Sequence, residues 1–249
     1  MIGISGYSAV FSREVPELSG LEHVEVTGQL ESSRTYGPAA RYACCAFEIM
    51  NPDVSDLGLV TLCGPSGSTV SAFDKSWELS SDGTLTGKGF AEKRHKRIHP
   101  FTLVQALQNQ IPAALSMKYK ITGPCLNLLD SATALAHALP NIHMMLERCG
   151  QVLLVMASAG GREEETAKLQ ALQPNDPVLE GAICLLLNGQ GSMGSLEPGT
   201  GDQAPSCSAA APVLSGGLGI LSAMAGNTSR LITLNDFFGH HASIYWRNN

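Results

Sequence analysis

Charge is in short supply along this chain. Aspartate, glutamate, lysine and arginine make up 15% of its 249 residues, and 22 acidic side chains against 16 basic ones leave a net charge of −6. That balance offers no footprint for nucleic-acid phosphates, so no nucleic-acid partner is expected. So little charge fits either much buried surface or an exterior largely covered by a partner. Aromatic residues are also few, at 6%. No apolar run approaches the roughly 20 residues of a membrane-spanning helix, so no membrane role is expected. The seven cysteines, at positions 44, 45, 63, 125, 149, 184 and 207, show no CxxC spacing. That removes the usual zinc sites, and no metal is expected. Most of these thiols sit in apolar runs, where cysteine packs as a small hydrophobe, and Cys44-Cys45 reads as buried helix packing before it reads as a redox pair. The opening MIGISGYSAVFSREV has no basic segment ahead of an apolar run and does not read as a secretory signal. With free thiols suited to a reducing compartment, the expected location is the cytoplasm.

Two phosphate-binding motifs are missing in substance. Gly64-Pro65-Ser66-Gly67-Ser68 lacks the Lys-Ser/Thr ending of a P-loop. Gly189–Gly194 spells GxGxxG after a strand, but Glu197-Pro198-Gly199 follows where a helix would have to open to meet a pyrophosphate. Neither points to a nucleotide.

What the chain does have is apolar residues, 44% of the total, arranged in strand-length and helix-length blocks of an α/β protein. Residues 2–10 read as a Gly-rich strand, and 34–50 as a helix with Ala39, Tyr42, Ala46 and Ile49 on one face. Leu57–Cys63 reads as a buried strand. Residues 158–177 read as a polar linker holding one short charged helix. Asn188–Pro212, rich in Gly, Pro, Ser and Ala, reads as a flexible loop with no core element, and 213–225 as a Gly-rich helix. Lys88, Lys93, Arg94, Lys96 and Arg97 form a basic cluster in an otherwise acidic protein. It fits a solvated loop or a docking patch for an acidic partner.

The organising stretch is Gly123–Leu139, GPCLNLLDSATALAHAL. Gly-Pro marks a turn, Cys125–Leu129 a short strand, Asp130–Thr133 a small-residue corner, and Ala134–His143 a helix. A tight bend between a strand and a helix N-terminus suits a nucleophile, because the helix dipole favours an anion there. The residue at the bend is Ala132, which can attack nothing.

This stretch resembles the active-site elbow of the β-ketoacyl synthases, the condensing enzymes of fatty acid and polyketide synthesis. Gly123-Pro124 match the family's Gly-Pro, Ser131 falls on its Ala, and Ala132 on its reactive Cys; a one-residue slip would put Ser131 there. Pro100–Leu115 is similar to the family's Pro-Phe-Phe helix segment, with Asn109 as its Asn. Gln151–Ala157 and Gly181–Leu187 resemble the next two strands, and NDFFGHHASIYW at 235–246 the closing loop and strand. The resemblance implies an α/β, thiolase-like layered α-β-α fold. One ketosynthase-like domain would span 1–249, with an elbow-bearing first half (1–160) and a shortened second half (178–249). Neither His-Gly-Thr-Gly-Thr nor Lys-x-x-x-Gly-His, the contexts of the family's two catalytic histidines, occurs.

A condensing-enzyme fold without its thiol resembles the chain-length factor, or KSβ, of type II polyketide and aryl-polyene systems, which pairs with an active ketosynthase, KSα. The compact length and Pro38–Arg41 resemble the short Gram-negative type. Many chain-length factors carry Gln at the elbow; Ala132 departs from that. The resemblance implies a heterodimer or heterotetramer and no cofactor beyond phosphopantetheine on an acyl carrier protein. It also places Thr102, Phe101, Asn109, Ser68 and Phe73 at the acyl tunnel and interface, and Phe237, Phe238, His240 and His241 at a vestigial pocket; Lys93, Arg94, Lys96 and Arg97, read from their charge, would then be a carrier or partner patch. Two other readings stay open. One is an acyltransferase or decarboxylase using Ser131 or His240 and His241; the other is a homodimeric acyl-binding scaffold. His137 and His143, on or beside the elbow helix, are given no role.

Overall fold

Strands that are apolar along most of their length are buried on both faces, and the blocks at 57–63, 151–158 and 181–188 are of that kind, with Thr61 inside the first and Gln151, Ser158 and Asn188 at the ends of the others. In the computed structural model, residues 2–28, 30, 35–63, 107, 109–129, 132–159, 179–199, 212–235 and 241–249 are described. They form β1 (Ile2–Phe11), β2 (Val24–Val26), α1 (Pro38–Met50), β3 (Leu57–Cys63), α2 (Gln110–Tyr119), β4 (Cys125–Leu129), α3 (Ala134–Cys149), β5 (Gln151–Ser158), β6 (Gly181–Asn188), β7 (Gly194–Pro198), α4 (Ser215–Ala225), β8 (Arg230–Asn235) and β9 (His241–Asn248). One mixed sheet carries all nine strands in the order β4-β3-β5-β6-β1-β7-β9-β8, with β2 beside the far end of β1. β3 is parallel to β4 and to β5; from β5 through β6, β1, β7 and β9 to β8 each pairing is antiparallel.

The alternation of side chains along these strands separates two cores. Leu57, Leu59 and Cys63 of β3, Leu153 and Val155 of β5, and Ala182 and Cys184 of β6 face α1 and α2. Val60, Leu62, Val152, Leu154, Met156, Ile183 and Leu185 face the other way, toward α3 and α4. The same second core takes in Leu196 of β7, Ile232 and Leu234 of β8, and Ile244 and Trp246 of β9. α3 touches β1, β3, β4, β5, β7 and β9, and α4 touches β8 and β9. The two helices therefore lie between two wings of the sheet. At the β7–β9 wing Trp246 is fully buried, and its indole covers Gly194, where any side chain would collide with it.

α1 starts with Pro38 at its first turn, where a missing N–H costs nothing, and ends with Asn51 in the left-handed region, its N–H bonded to the Phe47 carbonyl at 2.7 Å. It is tied to the sheet by Ser8 Oγ, which donates to the Ala46 carbonyl at 2.6 Å. It is tied to α2 by Tyr119, whose ring stacks on Phe47 at 4.0 Å and whose hydroxyl donates to Glu48 at 2.9 Å.

One reading of the sequence is corrected. The loop expected over 188–212 contains β7, a strand paired on both sides, with Leu196 in the core. Of Pro100–Leu115, residues 100–106 and 108 lie outside the described residues; the described helix α2 runs from Gln110 past Leu115 to Tyr119. The rejected GxGxxG is indeed a turn: Asn188 Oδ1 accepts the N–H groups of Gln190 and Gly191, and a strand follows instead of a helix.

Candidate functional site

The three parallel strands β3, β4 and β5 end on one side of the sheet, at Cys63, Leu129 and Ser158. In α/β proteins that carboxyl rim is where ligands bind. β4 leads to the elbow, and its position is set by three local devices. Gly123 passes so close to the Leu57 carbonyl that no side chain fits there. Leu59 N–H donates to the Pro124 carbonyl at 2.8 Å. Inside the ladder, the hydroxyl of fully buried Thr61 donates to Asn127 Oδ1 at 2.6 Å, which fixes the β3–β4 register two residues before the strand ends. The sequence reading missed that pair, although an Asn inside CLNLL was its visible trace.

Residues 130 and 131 lie outside the described set. Ala132 and Thr133 form the corner, and Ala134 opens α3. Ala132 is 4% exposed and belongs to the same apolar cluster as Leu135, Leu139 and Met156. Thr133 is buried too, and its side chain does not cap the helix. From the far side α4 closes down on this helix through glycines. A methyl at Gly216 would stand 2.6 Å from Leu135 Cδ2, and one at Gly217 would stand 2.7 Å from Met156 Cε. The elbow is thus built as a strand–turn–helix with its dipole aimed at the corner, and the corner holds a methyl group.

The described thiols are not activated nucleophiles. Cys63, at the end of β3, is buried, and burial pushes its thiol up to about 11, which keeps it protonated. Cys125 lies at the opposite end of β4 and is exposed. Cys184 is enclosed on all sides, and its thiol is pushed up to about 12. Cys44 is buried and Cys45 half-buried on α1, with both thiols raised by burial, as packing residues would be.

Of the site residues expected from the sequence, Asn109 stands exposed at the N-terminal cap of α2, where its carbonyl accepts the Ala113 N–H at 3.2 Å. Its neighbour Gln110 is the buried one. Gln110 Oε1 accepts the Gly37 N–H at 2.6 Å and its amide reaches the Thr35 carbonyl at 3.4 Å, which joins the start of α2 to the start of α1. His241 is exposed, opens β9, and pairs with Asn235. On α3, His137 and His143 are exposed, with His143 3.8 Å from Glu147. Ser131, Ser68, Phe73, Phe101, Thr102, Phe237, Phe238, His240, Lys93, Arg94, Lys96 and Arg97 lie outside the described residues. Among the described residues no group of His, Cys, Asp or Glu is placed to hold a metal, and no helix is long and apolar enough to cross a membrane.

No protein-family model matches the chain, and no curated protein does. Solved structures do. The ishigamide ketosynthase/chain length factor aligns at a TM-score of 0.67 and 12% identity, over 99% of each chain. The ketosynthase ApeO in complex with its chain length factor ApeC, from Xenorhabdus doucetiae, aligns at 0.60 and 13%, again over 99% of each chain. A third complex, AntDE:AntF, a type II polyketide synthase acyl-carrier protein with its ketosynthase bound to the hexaketide, aligns at 0.70 and 11%, over 100% of this chain and 99% of the other. At such identities the likeness speaks for architecture, and the architecture is the α/β, thiolase-like fold of the condensing enzymes.

Proposed function

We propose that this chain is a non-catalytic chain-length-factor subunit, which pairs with an active ketosynthase and helps shape the tunnel that holds a growing polyketide chain. One observation carries the reading: a condensing-enzyme fold with its elbow strand and helix in place has Ala132 at the corner. Condensation needs a thiolate to hold the acyl group, and a methyl cannot form the thioester. The substrate would arrive on the phosphopantetheine of an acyl carrier protein, in the cytoplasm, and the chain would need no cofactor of its own. The basic cluster at Lys93, Arg94, Lys96 and Arg97 would dock the acidic carrier or partner.

The shape of β4 supports the pairing. Among the described residues no strand pairs with its outer edge. Leu129 is 42% exposed on this strand, and Cys125 at its other end is exposed too. An open edge on a strand that exposes apolar side chains is a template for a second chain. The structural neighbours described as complexes of a ketosynthase with its chain length factor are assemblies of the kind this edge would enter.

The test is co-expression with a candidate ketosynthase, followed by size-exclusion chromatography with mass detection and a malonyl-carrier elongation assay. A 1:1 complex that elongates, while this chain alone is insoluble and inert, supports the subunit role. Within that complex Thr102→Phe should shorten the products. A soluble homodimer that turns over an acyl thioester unaided points to the acyltransferase or decarboxylase reading. A soluble homodimer that only binds acyl chains points to a scaffold.

A further inference from the structure

We draw no further inference here: the strongest candidate beyond the β4 edge already assigned to pairing, the exposed stripe Pro140, Met144 and Arg148 along the elbow helix α3, carries nothing because nothing in the structure shows what covers it.

Discussion

A methyl group at position 132 can neither hold an acyl chain nor give up a proton, so any chemistry at this rim has to come from a neighbour. Ser131, the preceding residue in the sequence, and His241, which opens β9, are the residues to test. In a complex with a ketosynthase, Ser131→Ala and His241→Ala are expected to leave the elongation rate within about twofold, since positioned acid–base or nucleophilic groups are worth about 100-fold or more. A loss of that size in either variant would transfer the chemistry to this chain. A second expectation at this scale concerns the thiols. Burial holds Cys63 at about 11 and Cys184 at about 12, against an ordinary thiol value of 9.0. In the unfolded chain both ionise near the ordinary value; in the folded one they stay neutral. The stability that rests on the neutral thiols is complete below that value and is lost as pH rises through 9 toward 11 and 12. The slope is about 1.4 kcal/mol per pH unit for each thiol that is ionised only in the unfolded state. Urea melts at neutral pH and in the range above 9 should show the midpoint falling, and Cys184→Ala should flatten that fall. A midpoint indifferent to alkaline pH would mean that these thiols are not enclosed as the structure has them.

At the scale of elements, close approach of backbones decides which positions tolerate change. Gly123 faces the Leu57 carbonyl, a rigid backbone atom, whereas a methyl at Gly6 would stand 3.6 Å from Leu186 Cβ, an ordinary contact. Gly123→Ala should therefore cost roughly 2 kcal/mol or more, and Gly6→Ala well under 1, read as thermal midpoints of the same preparation. Equal shifts would remove the turn before β4 from the list of constraints on the elbow. The same physics explains what the sequence disclosed. β3 and β4 were legible to the residue, because LGLVTLC and CLNLL are apolar blocks cut off by turn signals. β7 was not. GSLEP has low strand propensity throughout, and its strand exists because β1 and β9 flank it and only Leu196 enters the core. α3 extends past His143 to Cys149 because Met145 continues its buried face, a periodicity present in the sequence and passed over. At the site, the alanine at position 132 is visible in the sequence itself. The Thr61–Asn127 bond and the Gln110 clamp are not, since both join residues brought together only by the finished sheet and helix pair.

At the scale of the whole molecule, the sheet has open edges among the described residues at β4, at β8 and beside the short β2, and β4 is the one assigned to a partner. β2 is short, and its Val26 is exposed beside Glu25, a charged neighbour that discourages strand addition. β4 has Leu129 and Cys125 exposed on the strand. A permanent pair would bury on the order of 2,000 Å² or more, with an apolar centre, and low charge over the whole chain suits that. Leu129→Lys should therefore abolish co-purification with the ketosynthase, because a buried ammonium without a counter-charge costs several kcal/mol. Val26→Lys should leave the complex intact, because β2 stays outside it. Cys125 supplies an independent reading that needs no variant. Its thiol should alkylate freely in the isolated chain, refolded if need be, and about tenfold more slowly or less in the complex, while Cys184 stays unmodified in both until the protein unfolds. If Leu129→Lys still assembles and Cys125 stays equally reactive in the complex, the partner sits elsewhere, and the open edge of β4 has to be explained by something other than a second subunit.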